Sequence, residues 1–338
     1  MLVLSNGLTD TADEGFLKVA SSLIKQIKNK FSNSIIVTYE RKTNLSDHHI
    51  ELNKLFLNKE LFSLLRNNDE AFLYIPFPAK MFATALRLCV LGVVSKQKVN
   101  AILVMTGKVD FITKILFKIC KANIFVLSEE AKSFYTTFIS KDRVYHLKAG
   151  VDTKRFCPVS SEQSNKLRVK YGLSADRPVI LHVGHLKEGR NIRQLLSISS
   201  DYQVLLVTST LTKDEQDEKL KTALQQKSSV RIIDSFIPQV YELYQLADVY
   251  FFPVVESGNC IDIPLSCLEA AACDLPILTT SYGAMKEFKD KKGFYFINSF
   301  ENINEILSQI ILDNHHATRE SVLDFEWEKV LEMLNKMI

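Results

Sequence analysis

The stretch IDIPLSCLEAAACDLPILTT, residues 261–280, sets two acids, Asp262 and Glu269, around the start of an otherwise apolar helix. Pro264 suits the first turn of that helix, because an amide there has no intrahelical partner to lose. The amides of Ile263, Leu265 and Ser266 then present partial positive charge to an anion such as a diphosphate. Glu269 stands too far along to cap the helix. A carboxylate there either accepts hydrogen bonds from the vicinal hydroxyls of a ribose or is an incidental surface charge. Asp262 is by its type an N-cap. A second stretch, VGHLKEGRN, ends a strand at Gly184 and continues with His185, Lys187 and Arg190. Glycine lets a backbone approach a ligand closely, and the cations beyond it can neutralise phosphate oxygens. The same residues also read as ordinary solvated loop charges.

Other chemistries find less support. His48, His49 and Glu51 lack the spacing of a zinc site. Ser128 and Ser266 have neither a His–Asp arrangement nor nucleophile-elbow glycines, which speaks against acyl transfer. There is no P-loop, and the first strand lacks the GxGxxG turn of a dehydrogenase. The balance of 42 Lys+Arg against 39 Asp+Glu, a net +3, implies no nucleic-acid groove, so anion binding must be local. The six cysteines form no CxxC pair and no secretory leader is evident, which reads as reduced thiols in a cytoplasmic protein.

These groups need elements to hold them. A chain of 338 residues exceeds what one core usually organises, so two domains are expected. Strands are predicted at 1–5, 34–39, 71–76, 101–105 and 123–128, then at 178–184, 202–209, 230–234, 248–254 and 276–280, with helical patterns between. Such alternation implies α/β folding with parallel sheets covered on both faces. Residues 149–166 are polar and aperiodic and read as the linker. The apolar run 81–94, with Arg87 near its middle, reads as a buried helix too short to span a membrane. In 111–121, Lys114, Lys118 and Lys121 share a face against Ile112, Ile115, Leu116 and Ile119. Helices of this kind can lie on anionic membrane, but most face a core, which is the expectation here. The last stretch reads as an amphipathic helix with Trp327 as a packing anchor. Two doubly wound units, facing each other, would place a ligand outside their strand carboxyl ends.

The succession GVDTKRFCP, VGHLKEGRN, LYQLADVYFFPVVES, IDIPLSCLEAAACDLPILTTSYGAMKEF and FEWEKVLEML resembles the glycosyltransferases of family 4 from about residue 145 onward. In the first half the likeness rests on the strand–loop–helix opening and the DEG of its loop. The resemblance implies a retaining, nucleotide-sugar-dependent enzyme of GT-B architecture, with two Rossmann-like domains facing across a cleft. The expected division is 1–155 on the acceptor side, 156–320 for the nucleotide sugar, and a terminal helix, 321–338, crossing back. The family's phosphate-binding basic pair falls on His185 and Arg190, and the second acid of its Glu–Glu motif on Glu269. The first acid falls on Ile261, so the neighbouring Asp262 is the candidate to hold the donor sugar, with Glu256 as a substitute. Gly15 and its loop would close over the site. A UDP- or GDP-sugar donor is implied, with no metal and no other cofactor, an unknown acceptor, and peripheral contact with the inner face of a membrane. The family's N-terminal histidine has no counterpart in YIPFPAKMF (74–82), and Gly7 and Gly15 remain without a glycine pair. Those departures motivate a competing expectation, a catalytically inactive binding or regulatory subunit.

Overall fold

A computed structural model describes residues 1–8, 15–41, 43–77, 80–208, 216–256, 258–313 and 315–338. The loop residues Asp13 and Glu14 of the DEG stretch lie outside the described residues, as do Pro78 and Ala79. The chain forms two compact units. The first takes in Met1–Gly150, Ile261–Ile263 and Trp327–Ile338, and the second Val151–Cys260 and Pro264–Glu326.

The first unit holds a seven-stranded parallel sheet, ordered β3-β2-β1-β4-β5-β6-β7. Its strands are β1 (Leu2–Gly7), β2 (Ile35–Arg41), β3 (His48–His49), β4 (Phe72–Ile75), β5 (Val99–Leu103), β6 (Asn123–Val126) and β7 (Val144–His146). β4, β5 and β6 are buried at every residue, as befits strands covered on both faces, and this is why they read as continuous apolar runs. Five helices alternate with the strands: α1 (Gly15–Lys30), α2 (Lys59–Asn67), α3 (Met81–Val94), α4 (Phe111–Ile119) and α5 (Glu129–Tyr135). The edge strands β3 and β7 escape the sequence pattern because two or three residues carry no measurable alternation. His48 and His49 form β3, where His49 Nδ1 lies 3.1 Å from Thr38 Oγ1.

Two helices differ from expectation. α3 is not buried all round: Met81, Ala85, Leu88 and Leu91 face the core, while Phe82 and Val93 are exposed. α4 buries only Thr113 and Phe117, so its apolar stripe faces outward, not toward a core. Among the described residues no helix is long and apolar enough to cross a membrane.

The second unit carries a six-stranded parallel sheet, ordered β10-β9-β8-β11-β12-β13. It comprises α6 (Ser161–Lys170), β8 (Val179–Val183), β9 (Gln203–Val207), α7 (Glu218–Gln225), β10 (Val230–Ile233), α8 (Tyr241–Gln245), β11 (Val249–Phe252), α9 (Leu265–Ala272), β12 (Ile277–Thr279), β13 (Phe294–Phe296) and α10 (Ile303–Leu312). α6 corrects the linker reading, since residues 161–166 are helical. The Ser160 side chain accepts from Gln163 N, and the buried Arg168 donates to Asp248 at 2.7 Å. The 3₁₀ segment Thr318–Phe325 packs on α9 within this unit, so the segment belonging to the first unit starts at Trp327, as α11 (Trp327–Met337). There Trp327 lies flat against Gly150, its Cε3 2.3 Å from where a Cβ would stand, and Lys30 pairs with Glu332 at 3.1 Å.

Candidate active site

In the second unit the strand order reverses between β8 and β11, and loops leaving two such strands diverge to leave a crevice at their carboxyl ends. The loop after β8 is Gly184–Asn191. It is tied to the loop after β11 in two places: Arg190 Nε donates to Asn259 O at 2.9 Å, and Asn191 Nδ2 to Pro253 O at 3.2 Å. Asn191 takes the left-handed conformation, with φ 57°, which turns the chain at this point. Gly184 is needed for space rather than for φ: a Cβ there would stand 2.8 Å from Arg190 Nη1 and 3.0 Å from His182 Nε2. The half-buried Arg190 guanidinium is thus laid on the strand-end glycine and anchored to the loop that leads toward α9. His185 and Lys187 are half-buried in the same loop, where Lys187 N donates to His185 O.

α9 begins at Leu265, and its N-cap is Pro264, with no side-chain hydrogen bond. Its first recorded intrahelical bond is Cys267 N to Pro264 O, so the amides of Leu265 and Ser266 precede the ladder. The other end is closed: Arg319 donates to the Ala272 carbonyl and to Phe156 O and Thr153 O, placing a cation where the helix dipole is negative. The helix therefore has a neutralised C-terminus and a start without a side-chain cap. Tyr282 holds the approach to that start, its hydroxyl accepting from Cys260 N and donating to Cys260 O at 2.6 Å.

Glu269 is not a surface charge. It is 6% exposed, and its Oε2 accepts from the Tyr244 hydroxyl at 2.7 Å. Burial, and then the charge of Glu269, hold the Tyr244 phenol well above its ordinary range, so it stays a proton donor. Tyr250 lies beside it, donating to Val183 O and sharing a hydrogen bond with the Ser266 side chain. His182 is fully buried in β8 and pushed down to about 4, chiefly by burial, with Arg190 adding to the effect. Its Nδ1 is 2.8 Å from Phe251 O, and its Nε2 has no hydrogen-bond partner among the described residues. His182, Tyr244, Tyr250, Asn259 and Tyr282 were not legible as site residues. For His182 and Tyr250 the available signal was a polar side chain inside an otherwise aliphatic or aromatic strand, while Tyr244, Asn259 and Tyr282 lie outside the strands.

Ile261, Asp262 and Ile263 belong to the first unit, as does Gly15. Asp262 is not the N-cap of α9. Its amide donates to Val104 O, and its two carboxylate oxygens accept from Thr106 N at 2.9 Å and Thr106 Oγ1 at 2.7 Å. Burial pushes this carboxyl up to about 6, against the opposing pull of the Thr106 hydrogen bonds. Gly15 opens α1, where a Cβ would stand 3.0 Å from Ile261 Cδ1. Glu256 is exposed on the loop after β11. Among the described residues, no group of three His, Cys, Asp or Glu side chains is placed to hold a metal ion.

Residues 177–313, which contain this crevice, match the family model described as Glycosyl transferases group 1. The chain is 27% identical over 195 residues to a GDP-mannose-dependent monoacylated alpha-(1-6)-phosphatidylinositol monomannoside mannosyltransferase of Corynebacterium glutamicum, covering 54% of this chain and 50% of that one. It spans about half the length of the curated relatives it matches. Among solved structures, it is similar to a glycosyltransferase from Rickettsia africae, with TM-score 0.79 and 14% identity over 99% of this chain and 97% of that one. It is also similar to Anabaena HepE in complex with UDP, with TM-score 0.77 and 12% identity over 99% of both chains. The fold is that of the GT-B class. Over residues 177–313 the chain is similar to glycosyltransferases.

Proposed function

We propose that the chain transfers a sugar, with retention of configuration, from a nucleotide-diphosphate sugar to an acceptor hydroxyl. The observation that carries this reading is the tie at the β8/β11 switch point between Arg190 and the loop leading to the uncapped start of α9. Negative charge grows on the departing diphosphate during transfer. Arg190, helped by His185, and the amides at 265 and 266 supply fixed positive charge for it, and preorganised charge of this kind accelerates a reaction most. In this scheme the protein supplies that charge and no metal is needed. Glu269, steadied by Tyr244, accepts from the ribose hydroxyls. Glu256 is exposed whereas both oxygens of Asp262 are engaged by Thr106, so the sugar contact is assigned to Glu256. Asp262 becomes a positioning residue that fixes 261–263 on the first unit. Gly15 leaves room for the Ile261 side chain at the start of α1.

The relative from Corynebacterium glutamicum is named for a phosphatidylinositol mannoside acceptor, and on that basis the acceptor here is assigned to the lipid-borne class, reached from the cytoplasmic side. Thermal unfolding with a panel of GDP- and UDP-sugars tests the donor site. The cognate donor should stabilise the protein by about 2.7 kcal/mol at a hundredfold excess over its Kd, and Arg190→Ala should abolish the shift. No stabilisation by any nucleotide sugar, or an equal shift in Arg190→Ala, would discard the site. Binding without transfer or slow donor hydrolysis would return the protein to the class of binding subunits.

A further inference from the structure

We propose that α4, together with the end of α3, is a docking surface for an anionic lipid bilayer. Phe111, Ile115 and Ile119 recur at i, i+4 and i+8 and so form one stripe, with Ile112 beside it. That stripe faces outward: Phe111 is 76% exposed, Ile112 60% and Ile119 61%. The opposite side of the helix, through Thr113, Phe117 and Cys120, meets the core. Gly92 of α3 lies against the Lys121 backbone, and its neighbour Val93 is 86% exposed, which extends the apolar area past the helix end. Among the described residues nothing covers it, and a contiguous apolar surface of this kind marks an interaction site.

The charges beside it identify the occupant. Lys114 and Lys118 stand at i and i+4, forming a flank along one edge of the stripe, and Lys108 and Lys121 are exposed just before and just after the helix. The nearest acid on this segment, Asp110, turns its carboxylate back onto Thr113 N as the N-cap. Arg143 closes the other end on the carbonyls of Phe117 and Lys118. An apolar stripe with an all-cationic flank matches the boundary between acyl chains and anionic headgroups, where the aliphatic groups enter the hydrocarbon edge and the ammonium groups remain at the phosphates. A second copy fits poorly, because a two-fold contact over this face would bring the same lysines toward their own copies.

The proposal rests on the glycosyl-transfer reading only in giving a lipid-borne acceptor its place, and its test uses no donor, so failure of docking and failure of transfer are separate results. The full chain is sedimented with vesicles of phosphatidylcholine alone and with vesicles carrying about 30% phosphatidylglycerol at about 0.1 M salt. Binding is expected only to the anionic vesicles, and it should weaken with salt. Phe111→Ser/Ile115→Ser/Ile119→Ser should lower the partition roughly tenfold or more, and Lys114→Gln/Lys118→Gln/Lys121→Gln by a similar factor. Thermal melting of both variants should match the parent, since the altered side chains are mostly outside the core. Equal binding by the serine variant, or no preference for anionic vesicles, overturns the proposal. So does a dimer of the parent chain that the serine variant dissociates while neither binds vesicles.

Discussion

α4 and α9 are two short apolar helices with opposite fates. α9 buries seven of its eight residues, while α4 buries two of nine. The difference is neighbours. α9 packs against β11, β12, α8 and the 318–325 segment, and its run of Ala and Cys is narrow enough to fit among them. α4 packs chiefly on α3 through the side that carries Phe117, and Phe111, Ile112, Ile115 and Ile119 are exposed. Apolar composition therefore says that a face must be covered, and only the packing says by what. α9 is covered by its own unit and leaves only its start without a side-chain cap; α4 leaves a whole side exposed.

The largest test of this contrast places the same charge in both helices. Ala271→Asp puts an unpaired carboxylate into a fully buried position and should cost roughly 3–5 kcal/mol or unfold the second unit. Ile119→Asp on α4 should stay within about 0.5 kcal/mol by thermal melting. A comparable loss in both would mean that α4 is covered after all. Within α9, Glu269→Gln should lower kcat/KM for donor turnover by about 10²-fold while the melting point changes little, because the amide oxygen can still accept from Tyr244. Unchanged kinetics would remove Glu269 from the site.

The two units also titrate in opposite senses. Asp262, in the first, sits at about 6 when folded against an ordinary 3.8, so the folded state binds a proton that the unfolded state does not, and stability falls as pH rises from about 4 to 6. His182, in the second, sits at about 4 against 6.5, so the unfolded state takes up the proton first and stability is lost as pH falls from about 6.5 to 4. Each is worth on the order of 3 kcal/mol. Asp262→Asn should therefore steepen the loss of stability on acidification, and His182→Gln should flatten it; unchanged pH profiles for both would refute the opposition. The smallest effect is expected from Tyr244→Phe, which leaves a buried Glu269 oxygen without that donor and should cost about 1–2 kcal/mol in chemical unfolding.

Much of the fold was legible because strands buried on both faces print as short apolar runs, and the central strands of both sheets were read that way. β3, β7 and β13 were not, being both short and only partly buried, whereas the equally short β12 is buried throughout. α6 was not, because its helix is fixed by Leu167 and by the distant partner that Arg168 finds in Asp248, not by a periodic face. Of the candidate site, local spacing located the Gly184–Arg190 loop and the α9 start, since strand-end glycines and first-turn prolines answer to backbone geometry. It misjudged Asp262 as a cap because the competing partner, Thr106, lies 156 residues away in sequence.

Sequence alone thus determined the α/β class and the order of the motifs, and it supplied the candidate residues for a diphosphate, all of which follow from local backbone and side-chain chemistry. Tertiary structure decided that Glu269 is buried against Tyr244, that Arg190 rests on Gly184, that Asp262 is held by Thr106, and that the stripe of α4 faces outward. Those outcomes depend on which distant groups arrive at the same point, and packing, not periodicity, sets that.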